Sequence, residues 1–121
     1  MKTNIKLLAN TRKYRRTPKG LLTNMYHKMK ARHYVEFSLK EFHRMFLQDK
    51  LYLKLYENWV KNNYDIQFIP SLDRADFKKP YLRNNVTMMT WAENRFKQKR
   101  ELEQSRARQV YQIMGSKVIK V

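Results

Sequence analysis

Positive charge is the sequence feature that most limits how this chain can fold. Its 121 residues include 27 Lys and Arg against 10 Asp and Glu, which gives a formal net charge of +17. Like charges repel one another, so this excess opposes a compact fold unless a polyanion neutralises it. Nucleic acid is the polyanion that we expect, and an anionic membrane surface is the competing one.

A membrane partner has little support in the sequence. No apolar stretch approaches the roughly 20 residues that a membrane-spanning helix needs. Residues Met1–Asn10 also lack the long apolar run and small-residue cleavage site of a secretory signal. We therefore expect a cytoplasmic protein whose partner is double-stranded DNA, with no membrane and no small-molecule substrate.

The length and composition predict a single domain with a modest core. Hydrophobic residues make up 42% of the chain, which is enough for one core, and the chain length fits one domain. Only 2 Gly and 3 Pro are present, which argues against a β-sandwich or a barrel. The chain has no Cys, so disulfides and thiolate zinc sites are excluded. The His residues show no metal-ligand spacing.

Residues 1–16 are predicted to form a basic arm. No acidic residue precedes Glu36, and basic residues are densest in the run RKYRR at residues 12–16. We expect an extended arm that lies on phosphates, with its contacts made by Arg12, Lys13, Arg15 and Arg16. The alternative is a solvated, disordered tail.

Residues 17–64 are predicted to be helical. Thr17 is a suitable N-cap, and Pro18 then occupies the first helical position, where its missing N–H costs nothing. The residues that share the apolar face of this helix are Leu21, Leu22, Met25 and Met29. The opposite face is basic, and Lys19 on it is a further candidate phosphate contact.

Two more helices are expected before residue 62. The run from Ser38 to Glu41 has the capping-box pattern, so a short helix should follow with its apolar residues inward. Those residues are Leu39, Phe42, Phe46 and Leu47. A third helix is predicted from about Asp49 to Lys61. Its buried stripe is expected to be Leu51, Leu55 and Trp59, with Tyr52 and Tyr56 beside it as core residues instead of base-stacking platforms.

The C-terminal half changes to a strand–loop–strand–helix pattern. Residues 66–72 and 86–91 are β-like, residues 74–85 form the loop between them, and a charged helix is predicted from Ala92. This unit spans residues 65–114, and Gly115 then starts a short tail, residues 115–121. The predicted fold class is α+β, mainly helical: a basic arm and helices, then a ββα unit with a long C-terminal helix, in one compact domain.

Three short motifs in this unit resemble those of a known family. They are PSLDRAD at residues 70–76, NV at residues 85–86 and TWAEN at residues 90–94. Together they resemble the bacteriophage HNH (ββα-metal) homing-type endonucleases, in the variant that has Asp-Arg in place of Asp-His. Weaker similarity extends upstream, so the resemblance covers about residues 16–97.

The resemblance implies roles for four residues. Asp73 and Asn94 correspond to the ligands of one divalent ion, Mg²⁺ or Mn²⁺, and oxygen ligands suit such hard cations. Asn85 corresponds to the residue that orients the general base, and Arg74 stands where that base, a His, is usually found. The implied activity is that of a metal-dependent DNA nickase or endonuclease of homing type.

Arg74 leaves two interpretations open. Arg stays protonated and cannot take a proton from water, although its guanidinium is well suited to a phosphate. Catalysis then needs another base, for which Asp76 or a His of the N-terminal half is a candidate; otherwise the motif only binds DNA, as an accessory to a phage or host nucleoprotein complex. The sequence also has Pro80-Tyr81-Leu82 where the family has Gly-Tyr-Thr.

Further DNA contacts are expected on the C-terminal helix. The candidates there are Arg95, Lys97, Lys99 and Arg100. Contacts of this kind position a protein on phosphates without reading bases. A third interpretation, an RNA-binding or ribosome-associated basic protein, is compatible with the composition but does not require the Asp73, Asn85 and Asn94 set.

Overall fold

The computed structural model describes residues 11–115, with side-chain surroundings as far as residue 106. The helices are α1 (Pro18–Arg32), α2 (Leu39–Phe46), α3 (Lys50–Lys61) and α4 (Trp91–Gly115). A single 3₁₀ turn, Ile66–Phe68, follows α3, and the two strands are β1 (Pro70–Arg74) and β2 (Val86–Thr90). The α+β, mainly helical class is therefore confirmed. Residues 1–10 of the predicted arm and 116–121 of the predicted tail lie outside the described residues.

Helix α1 begins as its sequence predicts. The Thr17 side chain accepts a hydrogen bond from the Gly20 N–H at 3.0 Å, and Pro18 is the first helical residue. Leu21, Leu22 and Met29 are buried as predicted, and Met25 packs against the same cluster. Tyr26 is also buried on this face, and its hydroxyl donates to the Phe37 carbonyl at 3.0 Å.

The prediction of an extended arm is wrong for residues 11–15, which are helical. Arg, Lys and Tyr are compatible with a helix, and Thr17 ends the turn because its N–H and hydroxyl both donate to the Tyr14 carbonyl, at 3.0 and 2.7 Å. That carbonyl lies so close to Gly20 that a Cβ there would be 1.8 Å from its oxygen. Only glycine therefore allows this turn to pack on the start of α1.

Two tyrosines hold the end of this turn. The Tyr56 hydroxyl donates to the Arg16 carbonyl, and the Arg16 guanidinium lies over the Tyr64 ring, 4.0 Å from its centroid. Such a cation–π contact contributes about 0.5–1 kcal/mol at exposed sites. The basic run is thus fixed against the end of α3, although its side chains stay exposed.

Helix α2 has the predicted capping box and α3 begins after an Asp49 cap, but the buried side of α3 differs from the prediction at Leu51. The capping box of Ser38 and Glu41 is formed, and the Asp49 carboxylate accepts from the Tyr52 N–H at 2.9 Å. Tyr52 is 0% exposed and Leu51 is 49% exposed, so the prediction of Leu51 as a core residue is wrong. The reason is tertiary: the Tyr52 hydroxyl donates to the Pro18 carbonyl of α1 at 2.5 Å.

The predicted strand at residues 66–72 starts later than expected. Asp65 accepts from the Gln67 N–H at 3.0 Å and so caps the 3₁₀ turn, which takes residues 66–68 out of the strand. The strands β1 and β2 form an antiparallel pair whose register runs from Pro70 opposite Thr90 to Arg74 opposite Val86. The N–H of Trp91 donates to the Ile69 carbonyl at 2.8 Å, which joins the start of α4 to the base of β1.

One hydrophobic cluster joins the helical half to the ββα unit. Aromatic rings dominate it, with Phe37 stacked on Phe42 at 5.5 Å between centroids, and Leu72 and Met88 enter from the two strands. The loop between the strands also docks on the α1–α2 connection through a parallel bridge between Val35 and Tyr81. No helix in the described part of the chain is both long and apolar enough to cross a membrane.

Tyr52→Phe tests the contact between α1 and α3. The change keeps the ring but leaves the Pro18 carbonyl without its partner, so the free energy of unfolding should fall by about 1–2 kcal/mol. Tyr34→Phe is the matched control because Tyr34 is 66% exposed, and it should change stability by less than about 0.5 kcal/mol. Urea denaturation followed by circular dichroism measures both, and equal effects would contradict the assignment.

Candidate functional site

The ββα unit brings the predicted site residues into one buried polar region. Asp73 lies near the end of β1, Asn85 directly precedes β2, and Asn94 lies in the first turn of α4. Their exposed fractions are 5%, 6% and 8%, which is unusual for residues of these types. Each buried polar group therefore needs a partner, and those partners decide what the site can do.

The first turn of α4 is held in place by Thr90. Its hydroxyl accepts from the Glu93 N–H at 3.1 Å and donates to the Glu93 carboxylate at 2.9 Å. This exchange satisfies one of the free N–H groups at the helix start. As a result Asn94, the next residue, points back towards β1.

Asn85 closes the loop between the strands. Its amide oxygen accepts from the Asp76 N–H at 2.8 Å, and its amide nitrogen donates to the carbonyls of Asp76 and Pro80, both at 3.0 Å. The whole amide is therefore bound to loop backbone. The Asp76 carboxylate is itself engaged, because it accepts from the Lys78 N–H at 3.0 Å.

Asn94 is held by its neighbours on β1 and α4. Its amide nitrogen donates to the Ser71 hydroxyl at 2.9 Å and lies 3.4 Å from the Leu72 carbonyl oxygen. Its amide oxygen accepts from Gln98 at 3.2 Å. The Asn94 amide oxygen, which the resemblance implies as a metal ligand, thus already accepts a hydrogen bond within α4.

Asp73 is paired with a lysine. The Lys97 ammonium donates to the Asp73 carboxylate and to the Arg74 carbonyl at 3.0 Å, and lies 3.4 Å from the Ala75 carbonyl oxygen. It also forms a salt bridge with Glu101, one turn further along α4, at 3.2 Å. Sequence analysis assigned Lys97 to DNA; the structure places its ammonium against these oxygens of the protein, and the DNA contact stays a prediction.

The electrostatics of Lys97 favour its charged form. Partial burial works against the charge, but the hydrogen bonds to Asp73 and then to Glu101 outweigh it, so the pKa of Lys97 is raised above its usual value. Lys97 is therefore a fixed positive charge between two carboxylates at physiological pH.

The residues as placed do not fit the divalent-ion site that the resemblance implies. A Mg²⁺ ion needs oxygen ligands at about 2.0–2.1 Å in near-octahedral geometry. Lys97 already donates to Oδ2 of Asp73, and Gln98 donates to the Asn94 amide oxygen at 3.2 Å. Among the described residues, no group of three or more His, Cys, Asp or Glu is placed to hold a metal.

Arg74 lies over an aromatic ring at the edge of this region. Its guanidinium carbon is 5.3 Å from the centroid of the Tyr81 ring, and the His33 ring contacts the same tyrosine at 5.5 Å between centroids. Burial raises the pKa of Tyr81, with the Arg74 charge opposing that shift. Sequence analysis named Tyr81 only as part of the Pro80-Tyr81-Leu82 loop and gave it no role, although it is the one residue of that loop that matches the Gly-Tyr-Thr pattern.

Most of the basic residues that were predicted to contact nucleic acid are exposed. On the N-terminal side these are Arg12, Lys13, Arg15, Arg16 and Lys19, and on α4 they are Arg95, Lys99 and Arg100. The first four, hereafter the N-terminal basic cluster, border two open cavities of about 410 Å³ each. One cavity also contains Tyr64, and the other contains Trp59 and Ile69.

Salt bridges engage very few of these cations. Within the part of the chain whose side chains are described, only Arg83 and Lys97 form salt bridges with carboxylates. Arg83 forms salt bridges with Glu36, at 3.1 Å, and with Glu41. Lys97 forms salt bridges with Asp73 and Glu101. Four of the chain's 10 acids are therefore paired with only two bases, and within this part of the chain no carboxylate forms a salt bridge with the N-terminal basic cluster.

Comparisons with protein-family models, with curated proteins and with solved structures found no match to this chain. The resemblance to the HNH endonucleases therefore stays a prediction that rests on the motifs themselves.

Asn85→Ala should destabilise the protein through the loop. Removing the amide leaves buried backbone groups of Asp76 and Pro80 without partners, so we expect the free energy of unfolding to fall by about 1–3 kcal/mol. Asn84→Ala is the matched control, since its neighbour Asn84 is exposed, and it should lie within about 0.5 kcal/mol of the parent. Thermal and urea unfolding measure both, and an unchanged Asn85→Ala protein would refute the loop role.

Proposed function

We propose that this protein binds double-stranded DNA through its exposed cations and that the buried site around Asp73 supports the binding fold instead of cutting the DNA. The observation that carries the proposal is the distribution of salt bridges. Among the residues whose side chains the structure describes, two bases pair with four acids, and the N-terminal basic cluster and Arg95, Lys99 and Arg100 of α4 have no carboxylate as counter-charge. An external polyanion supplies that counter-charge and releases its own bound cations.

The two basic surfaces are joined through one residue. Ile69 lines a cavity together with Arg12, Arg15 and Arg16, and its carbonyl accepts the first N–H of α4. Helix α4 has 25 residues, so it is about 37 Å long, which is close to one turn of duplex DNA. Its exposed Arg95, Lys99 and Arg100 lie within its first ten residues and add about 8 Å of basic helix surface.

An unpaired donor beside the N-terminal basic cluster also favours an anionic partner. The indole N–H of Trp59 is the one buried side-chain polar group of the described residues that has no hydrogen-bond partner. Trp59 lines the cavity that Arg12, Arg15 and Arg16 border. A buried donor without a partner is costly, and a phosphate oxygen is an acceptor of the kind that this indole lacks.

Cleavage is the weaker proposal because the residue at the expected base position and the expected metal-binding carboxylate are both unsuited to it. Arg74 cannot accept a proton from water, and the Asp73 carboxylate is bound by Lys97. Arg74 is partly exposed and can bind a phosphate from its position over Tyr81. We accordingly propose an HNH-like binding protein that acts in the cytoplasm, as an accessory to a phage or host nucleoprotein complex.

Binding to a short fluorescent duplex should depend steeply on salt. Tripling the salt from about 0.1 M should weaken binding at least about tenfold, because each phosphate contact releases condensed counterions. In the Arg12→Ala/Arg15→Ala double variant, the slope of log affinity against log salt should become shallower by about 2, or about 1 for each lost phosphate contact. Fluorescence anisotropy at several salt concentrations measures both quantities.

The matched control for this experiment is Lys54→Ala/Lys61→Ala. It removes the same charge from α3, where both lysines are exposed and border a cavity with Glu57. We expect the control to keep most of the salt dependence. Equal losses in the two double variants would show non-specific attraction without a binding surface, and preference for structured RNA over duplex DNA in competition would overturn the assignment to DNA.

Supercoiled plasmid tests cleavage directly. With Mg²⁺ or Mn²⁺, we expect no more nicked circles than with chelator, because Lys97 occupies the Asp73 carboxylate. The Asp73→Ala variant should behave in the same way. Metal-dependent nicking that Asp73→Ala abolishes would instead support the alternative function, a homing-type DNA nickase.

A further inference from the structure

We propose that the Lys97 ammonium permanently occupies the cation position of this HNH-like site, so that the site carries its own cation and takes no divalent metal. The inference goes beyond DNA binding and does not depend on it. It concerns what holds β1 and α4 together and which ions the buried site accepts.

Four oxygen atoms surround the Lys97 ammonium. Two belong to carboxylates, of Asp73 on β1 and of Glu101 on α4, and two are backbone carbonyl oxygens of Arg74 and Ala75. Carboxylates and carbonyls are the ligand types that hard metal ions take in proteins. The four oxygen atoms therefore form a cation site, and the Lys97 side chain occupies it.

The helix geometry places these groups on one face. Asn94, Lys97 and Glu101 follow one another at spacings of three and four residues, so all three lie on the side of α4 that packs on β1. The Lys97 side chain is 24% exposed and that of Asp73 is 6% exposed. Removing the ammonium would leave a buried carboxylate uncompensated, which proteins strongly disfavour.

A divalent ion cannot enter while Lys97 is present. At the 3.0–3.4 Å separations between the ammonium and the two backbone carbonyls, a second cation bound to the same oxygens would lie against the ammonium and be repelled by it. Lys97 would first have to leave its four partners. Since the covalently attached ammonium is always present at the site, dilute Mg²⁺ or Mn²⁺ has to compete with it.

Manganese titration of the full-length protein tests this inference. Electron paramagnetic resonance counts free Mn²⁺, and the parent protein and Asp73→Asn should bind equally little of it. Lys97→Gln frees the oxygens and should gain one Mn²⁺ site, which the Lys97→Gln/Asp73→Asn double variant should lose. Because of this new Mn²⁺ site, the melting temperature of Lys97→Gln should be higher in Mn²⁺ than in chelator.

Lys99→Gln is the matched control. It removes one positive charge from the same helix, but Lys99 is exposed and outside all the salt bridges of the described residues. It should gain no Mn²⁺ site, so a gain in Lys99→Gln equal to that in Lys97→Gln would attribute the effect to net charge and overturn the inference. A folded Lys97→Gln protein without a new site would overturn it as well.

The parent protein provides a test that needs no variant to fold. In ¹⁵N-lysine NMR spectra, the Lys97 ammonium should give a signal protected from exchange by its hydrogen bonds and unchanged when Mg²⁺ is added. Mn²⁺ bound by the parent and lost in Asp73→Asn, or a Lys97 signal displaced by Mg²⁺, would show that a metal takes the site. Neither result depends on DNA, so the proposed function is tested separately.

Discussion

A buried carboxylate needs a compensating charge, and the compensation of Asp73 by Lys97 joins β1 to α4 in this protein. The same ammonium binds the carbonyls of Arg74 and Ala75 and the carboxylate of Glu101, so one side chain fixes the strand end, the start of the loop and two turns of the helix. The position of α4, and therefore of its exposed basic face, follows from this contact.

Scarcity of acids explains much of the remaining architecture. With few carboxylates available, the helical half is joined by tyrosine hydroxyls that donate to backbone carbonyls: Tyr26 to Phe37, Tyr52 to Pro18 and Tyr56 to Arg16. These bonds need no negative charge and leave the basic side chains unpaired. The aromatic content of the chain thus supplies contacts between elements that salt bridges provide elsewhere.

The arrangement separates the buried polar residues from the exposed cations. The polar residues that the motifs single out are buried and hydrogen-bonded within the protein: Asn85 holds loop backbone, Asn94 holds β1, and Asp73 holds Lys97. The groups that are open to a partner are cations, in the N-terminal basic cluster and on α4. Binding to a phosphate backbone needs only those cations, whereas hydrolysis also needs a base and an activated water.

The sequence by itself determined the local elements, because caps and periodic apolar residues act within a few positions. Thr17 with Pro18, the Ser38–Glu41 capping box and the strand–loop–strand–helix order were all predictable, and so was the burial of Leu22 and Trp59. Only the tertiary structure decided that Leu51 on α3 is exposed while Tyr52 is fully buried, since the Tyr52 hydroxyl meets a carbonyl of α1, 34 residues away. It also decided that residues 11–15 are helical and that Lys97 faces Asp73 instead of solvent. Those outcomes depend on partners distant in the chain. A charged side chain such as that of Lys97, which the sequence pattern predicts to be exposed, turns inward where it can pair with a buried carboxylate.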